Sequence, residues 1–511
     1  MEFCHFLAAT IKLVDTSSNS EKTRADLLAA TTKLAQYLKD KHVEARDVIG
    51  IISTNSWKFV VSIISAAYLG CTITVSNPNY LRDDLDHFLN TTAPKVLFVT
   101  SQVYKVIKEL LPNHGRVELI IVYDSDTHSD TISYDDILTQ QHVETSAFMP
   151  TKVDPEATLS YIVFSSGTTG LPKGVMHTQS GFKHTMNVIS HPQNGAMSAD
   201  HTVLIILPLF HIFGLLMALG AIVNNAKVLL LEKFKPDVFL NIIQKYRATY
   251  LPVVPTLLQF LSKSKIVDEY DLTSLRDIFC GGAPVGEDTE QLIARRFNNL
   301  VPRQIFGTTE AGGGAIIMPP GHKKPGSVGK VVMGNEVKIV DPDTQVALGP
   351  NKIGEICIRG PSVMKGYYKN EEATKKDLDQ EGFLHSGDLG YYDEEMYFYV
   401  LDRIKEVIKY KGFQVPPAQL ENILFQHPGV KEVAVVGKPD ERAGELPTAF
   451  VVKQDGTSPT EQELIQLVAQ RLHSEKQLHG GVLFVEEIPK TQSGKIARAE
   501  LRKRLQSNKL S

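Results

Sequence analysis

Short runs of residues that are apolar at every position alternate with helix-patterned segments over the first half of this chain. That alternation restricts the fold more than any other feature. DVIGIIS at 47–53 reads as a buried strand, 57–69 as a helix, and 72–76 as a second short strand. A strand that is apolar on both faces needs cover on both, and parallel sheets clad in helices provide it. Before them, Leu27, Thr31, Leu34 and Leu38 recur at helical spacing inside ADLLAATTKLAQYLKD. The alternation runs through Val254 and predicts an α/β fold in which helices cover two sheets.

The pattern then changes. Pro and Gly punctuate MPPGHKKPGSVGKVV at 318–332, after which 336–340 and 355–359 alternate in the manner of antiparallel strands, predicting a small barrel-like subdomain. Near Asp402 the strand-like YFYVLDR gives way to the charged IKEVIKYKG. Beyond it, Pro416-Pro417 starts a helix over 418–426, 430–436 reads as a strand, and Leu464, Leu467, Val468 and Leu472 mark an amphipathic helix. The 511 residues therefore divide near Asp402 into a large unit and a small, compact α+β unit. That last unit is large enough to fold alone.

Composition excludes several classes. With 42% apolar residues the chain has ample material for a core, so disorder is not its main state. A net charge of −4 provides no global basic field for nucleic acid. The four cysteines, Cys4, Cys71, Cys280 and Cys357, are far apart, which opposes a disulfide scaffold or zinc cluster and fits a reducing compartment. The start lacks a basic n-region, so no secretory signal is expected. LIILPLFHIFGLLMALGAIV at 204–223 is uncharged and long enough to span a membrane, but Pro208, His211 and Gly214 interrupt it. It reads as a buried strand over 203–207, a turn and a buried helix.

The strongest local signal follows a strand, LSYIVF. It is SSGTTGLPKG: Ser165, Ser166, Gly167, Thr168, Thr169, Gly170, then Leu171, Pro172, Lys173 and Gly174. Small residues let backbone N–H groups approach an anion, hydroxyls add donors and the lysine adds charge. That chemistry suits a polyphosphate. It is not a Walker A loop, which needs Gly-Lys-Ser/Thr contiguous.

SSGTTGLPKGV resembles the phosphate loop of the adenylate-forming superfamily, which comprises acyl-CoA synthetases, 4-coumarate–CoA ligases and beetle luciferases. The resemblance continues in order through LPLFHIFGL (207–215), CGGAPVG (280–286), FGTTEAG (306–312), GEICIRGP (354–361), GFLHSGDLG (382–390), DRIKEVIKYKGFQVPPAQLE (402–421) and PKTQSGKIAR (489–498). It covers nearly the whole chain. Few residues precede the ADLL helix, which leaves an early strand of the fold in question.

The resemblance implies roles. Phe306 packs on adenine, with Gly307 and Thr308 beside it; Thr309 touches the α-phosphate, and Glu310 holds Mg²⁺. Asp388 and Arg403 clasp the ribose, although alone either reads as half of a surface ion pair. Gly281, Gly282, Ala283 and Pro284 line the adenine and acyl sides. Lys495 is the lysine of adenylation, and His211 stands with Phe213 at the mouth of the acyl pocket. Lys405 lies in the hinge (402–406) between a large domain (1–401) and a small mobile α+β domain (407–511). Lys409 and Gln414 serve the thioester step, Lys411 and Gly412 meet coenzyme A, and Lys233 is a further candidate for its phosphates. Cys280 is a small packing residue, not a nucleophile.

The implied reaction joins a carboxylic acid to coenzyme A at the expense of ATP, through acyl-AMP, with Mg²⁺. The wall after Glu310 reads Ala311-Gly312-Gly313-Gly314-Ala315. Plant 4-coumarate ligases carry Pro-Val-like bulk where Gly313 and Gly314 stand, and a wall stripped of side chains deepens a pocket. A medium- or long-chain fatty acid is therefore expected. A luciferase is the first rival, but the helix GFKHTMNVIS lacks the Arg of beetle luciferases. A non-catalytic nucleotide- or acyl-binding relative is another, against which Lys173, Glu310, Asp388, Arg403 and Lys495 all stand intact. A peptide-synthetase module is disfavoured because no carrier domain follows. The protein is expected inside the cell, in cytoplasm or peroxisome, as a monomer or homodimer. Its terminal KLS does not match the peroxisomal S-K-L.

Overall fold

Alternate residues of the central strands face opposite ways into two separate apolar layers. In the computed structural model, which describes residues 12–124, 126, 128–165, 172–490 and 495–506, Val203, Ile205, Val228 and Leu230 join one core, and Leu204, Leu229, Leu251 and Ile278 the other. This is what period-2 geometry demands of a strand with both faces buried.

The inner core is shared by the two large sheets. The helices Arg24–Asp40, Trp57–Tyr68 and Ile212–Val223 contribute to it alongside Ile49, Ile51, Ile73 and Val75 of the opposite sheet. The outer core lies under Pro236–Tyr246, Pro255–Lys263 and Glu287–Arg296. Trp57–Tyr68 begins at Ser56, whose hydroxyl accepts from the Phe59 N–H; ten of its twelve residues are buried, so packing rather than propensity holds it.

One sheet has nine strands and the other eight. The nine-stranded sheet is parallel through Lys227–Leu230, Thr202–Ile205, Tyr250–Val253, Asp277–Gly281 and Arg303–Thr308. Both keep antiparallel strands toward their edges, such as Gly313–Ile317 against Arg303–Thr308. The early strand is present: Lys12–Asp15 pairs parallel with Lys227–Leu230 and antiparallel with Ser20–Thr23. A short hairpin thus supplies it within the few residues before the first helix. The uncharged segment is a strand, Thr202–Ile205, then a turn and the helix Ile212–Val223. No described helix is long and apolar enough to cross a membrane.

The expected antiparallel unit follows as Glu336–Val340, Gly354–Arg359, Leu384–Tyr392 and Phe398–Arg403, each paired with the next. The small C-terminal domain has its own cores, built on Val430–Asp440 and Gly444–Lys453 with the helices Pro417–Phe425, Glu461–Ala469 and Arg498–Gln506. Val430–Asp440 runs four residues past the expected end, because its pairing with Gly444–Lys453 continues to Asp440. Leu472 lies beyond the helix that it was expected to mark.

Candidate functional site

Parallel strands end at one edge of a sheet, and the chain segments that leave them enclose a cleft there. Leu207, Pro208, residues 211–214, Val254, Gly281, Gly282 and Thr308 follow or close four such strands of the nine-stranded sheet, and together they line a cavity of about 150 Å³. Its wall is largely apolar, with Leu216, Met217, Phe213 and Ile305, and its polar points are few: His211, Thr309 and Lys495 among them.

His211 sits at the cap position of Ile212–Val223. Its Nε2 is buried with no hydrogen-bond partner among the described residues. Burial, with the positive charge of Lys495 nearby, pulls its pKa down to about 4, so the imidazole is neutral near pH 7. Lys495 comes from the small domain, where Ile496 bridges to Lys490. It keeps accessible surface because it faces the open cleft, yet a Cβ on Gly282 would lie 3.5 Å from its Cε. Removal of its ammonium from bulk water, then Arg403, lower its pKa; Asp388 and Glu310 oppose them.

Asp388 and Arg403 face each other across two antiparallel strands, with Arg403 Nε 3.1 Å from Asp388 Oδ1. Burial raises the Asp388 carboxyl above its ordinary value, against the pull of Arg403 and Lys495.

A second polar chain runs beside this group. Lys173 Nζ lies 3.2 Å from Asp377 Oδ2 and 3.8 Å from the centre of the Tyr367 ring. The Tyr367 hydroxyl lies 2.8 Å from Asp377 Oδ2 and 3.1 Å from Glu310 Oε1. Ser165 pairs with Lys173 across a hairpin, and its buried Oγ has no partner among the described residues. Ser166, Gly167, Thr168, Thr169 and Gly170 lie outside the described residues.

Other sequence candidates fall around the same cleft. Gly281, Gly282, Gly307, Thr308, Thr309, Gly313 and Gly314 line the cavity, while Ala283 and Pro284 continue the turn after Gly282. Phe306 is 8% accessible within the cluster of Ala311, Ala315 and Ile316. The close approach at Gly307 is to the backbone of Gly313, at a bulge between the two strands, rather than to open space. A Cβ on Gly313 would stand 2.7 Å from Leu216 Cδ1 and one on Gly314 closer still to Ile305 Cδ1, so these two side chains already fill the space that the glycines leave.

The remaining candidates are elsewhere. Lys405 is exposed in the turn between Phe398–Arg403 and Ile408–Tyr410. Lys409 and Gln414 are exposed and directly opposed in a hairpin whose turn is Lys411-Gly412, and none of the four lines the cavity. Lys233 is exposed, and Cys280 is 1% accessible with burial raising its thiol.

Three residues were missed. Tyr367 and Asp377 connect Lys173 to Glu310, and fully buried His177 places Nε2 2.8 Å from the Thr309 carbonyl and Nδ1 3.2 Å from that of Ser362. Only the polarity of His177 inside an apolar strand was visible beforehand.

Comparisons with known proteins give the family of the chain. Residues 8–368 match the AMP-binding enzyme family and 419–495 the AMP-binding enzyme C-terminal domain. Luciferin 4-monooxygenase of Luciola mingrelica is 38% identical over 475 residues, covering 91% of this chain and 86% of that protein. The 4-coumarate–CoA ligase of Vanilla planifolia is 36% identical over 501 residues, covering 96% and 90%. Among solved structures, ATP-bound MatB from Rhodopseudomonas palustris superposes with a TM-score of 0.88 at 26% identity over 98% of both chains. The chain belongs to the adenylate-forming superfamily of AMP-binding enzymes.

Proposed function

We propose that the protein is an ATP-dependent acid–CoA ligase acting in two half-reactions. One observation carries this: Lys495 of the small domain stands at the cavity beside His211 and Gly282, while the Lys409–Gln414 hairpin of the same domain does not line it. In the first half, a carboxylate oxygen attacks the α-phosphorus of ATP and pyrophosphate leaves. Ser165, Lys173 and the intervening loop hold phosphate oxygens. Thr309 meets the α-phosphate, Asp388 and Arg403 hold the ribose, and Lys495 offsets charge as the new bond forms. Phe306, Gly307, Thr308, Ala283 and Pro284 border the base. Glu310 offers one hard oxygen, which together with phosphate oxygens suits magnesium; the ion when bound neutralises phosphate charge.

In the second half, the small domain (407–511) turns about Lys405 within 402–406, withdraws Lys495 and brings up Lys409 and Gln414. Lys411 and Gly412 then receive coenzyme A. Its thiol attacks the acyl carbon, AMP departs and the thioester remains. A lysine at the cleft and a hairpin of the same domain outside it suit such a switch.

The acid is a medium- or long-chain fatty acid. The apolar wall supports an alkyl chain, Gly313 and Gly314 let Leu216 and Ile305 pack against that wall, and His211 meets the carboxylate. The 38% identity to a luciferin 4-monooxygenase favours a second reading, light-producing oxidation of a luciferin. Pyrophosphate release and coenzyme A consumption across carboxylic acids of graded length decide between them. Turnover rising through medium chains is expected. Best turnover on 4-coumarate with none on a twelve-carbon acid would defeat the chain-length assignment, and strong light with luciferin and ATP would favour the second reading.

A further inference from the structure

The strand Gly354–Arg359 holds a cluster that the proposed reaction does not use. Glu355 and Cys357 are two residues apart and therefore share a face of their strand. Cys357 lies directly opposite His385 in the neighbouring strand, although Glu355 pairs with Leu389. The partner strand thus spends extra residues between those pairs, at Ser386 and Gly387. Gly387 has φ +71, a conformation that favours glycine. This bulge sets His385 over Cys357 and turns Asp388 toward Arg403.

The three side chains converge. His385 Nδ1 is 2.9 Å from Glu355 Oε2 and 3.5 Å from Cys357 Sγ, and ligand atoms of all three lie within 4.8 Å of one another. Ligands about 2.0–2.3 Å from a zinc ion in tetrahedral geometry stand at comparable separations. The second nitrogen of His385 faces Asp379 Oδ2 at 3.7 Å. A carboxylate behind a histidine is the usual outer support of a metal-bound imidazole. Asp379 is itself held by the N–H groups of Glu381 and Phe383.

We infer that Cys357, His385 and Glu355 form a binding site for a zinc-type divalent cation that ties two strands together beneath the bulge carrying Asp388. Thiolate, imidazole and one carboxylate oxygen form a donor set that selects zinc over magnesium or calcium. Glu355 binds through Oε2 alone, because its Oε1 accepts the Gly387 N–H at 3.0 Å. When the ion is bound, His385 offers Nδ1 and carries its proton on Nε2, toward Asp379. The Cys357 thiol releases its proton to solvent, and water completes the coordination. Cys357 is fully buried and Glu355 nearly so, whereas His385 and Asp379 keep 21% and 25% of their side-chain surface and form the entrance. Burial followed by the Glu355 charge pushes the free thiol up to about 12, which makes a nucleophilic role for this cysteine unfavourable.

Cobalt(II) titration of the full chain, without nucleotide or acid, tests the site separately from the ligase reading. One cobalt per chain with an intense thiolate-to-cobalt charge-transfer band is expected. Cys357→Ser should abolish the band, Cys71→Ser should leave it, and Asp379→Asn should weaken binding by about 10- to 100-fold. Zinc should raise the unfolding temperature of the wild type and not that of Cys357→Ser. Circular dichroism establishes that each variant is folded. A missing band in the wild type, or one that survives Cys357→Ser, overturns the proposal and leaves the three side chains as a hydrogen-bonded cluster.

Discussion

Arg403 reaches across two antiparallel strands to place Nε 3.1 Å from Asp388 Oδ1, and the pair is unequal: 7% of the Asp388 side chain is accessible against 42% of Arg403. Such an arrangement restrains a buried carboxylate without occupying all its lone pairs. Asp388→Asn keeps the shape and removes the charge. If Asp388 holds ribose hydroxyls, losing a charged hydrogen-bond acceptor costs about 1.5–3 kcal/mol, roughly a 10- to 150-fold rise in KM for ATP. Stability should move the other way. Burial raises the Asp388 pKa, so its ionised form at neutral pH is a cost that asparagine removes. Steady-state kinetics together with thermal unfolding check both; a lower unfolding temperature with an unchanged KM contradicts the assignment.

Lys495→Ala should divide the two half-reactions. Acid-dependent exchange of pyrophosphate into ATP falls by about 10²–10³-fold, the usual loss for one group aimed at developing charge. Thioester formation from supplied acyl-AMP stays within a few-fold of wild type, since Lys495 has left the cleft by then. Lys409→Ala gives the reverse pattern. Equal losses in both steps for Lys495→Ala would mean that it acts through folding.

Local pattern carried the elements around this site, and long-range contact carried what was missed. The strand at 72–76 and the helix from Trp57 follow from apolar runs and capping chemistry that any short window contains. The cleft residues could be named because ordered motifs repeat a known arrangement. Tyr367 and Asp377 could not: a tyrosine in the short strand Gly366–Tyr367 and an aspartate at the end of the helix Glu371–Asp377 gain meaning only where folding brings them to Lys173 and Glu310. The hairpin Lys12–Asp15/Ser20–Thr23 was hidden for a related reason. Ser20–Thr23, SEKT, has no apolar alternation and is a strand because its partner makes it one. Cys357 and His385 likewise meet through a bulge that no spacing rule anticipates.

The Tyr367 hydroxyl has one proton and two carboxylate neighbours, Asp377 at 2.8 Å and Glu310 at 3.1 Å. Tyr367→Phe removes that proton, so both acids lose this donor, while Asp377 keeps Lys173 at 3.2 Å. The orientation of Glu310 should loosen. The magnesium concentration for half-maximal adenylation is expected to rise by about tenfold, as for the loss of an outer partner of a metal ligand. Asp377→Asn should raise it less, because the hydroxyl keeps Glu310. Measuring adenylation against magnesium at saturating ATP tests the order, and an unchanged requirement in both variants removes Glu310 as the ligand.

Glu290 lies far from that chemistry in function but has a defined response to pH. It is 6% accessible, and its Oε1 accepts the Gln304 side-chain N–H at 2.8 Å. Burial pushes its pKa from an ordinary 4.5 up to about 7. The folded state therefore binds this proton more tightly than the unfolded state does. The resulting stability is complete below about pH 4.5 and is lost as pH rises through about 7, by up to about 3 kcal/mol. Glu290→Gln keeps an acceptor for Gln304 and cannot ionise. Its unfolding temperature relative to wild type should climb between pH 5 and pH 8, with histidine titration common to both proteins cancelling in the difference. A difference that is flat with pH would place the folded-state pKa of Glu290 near that of an exposed glutamate.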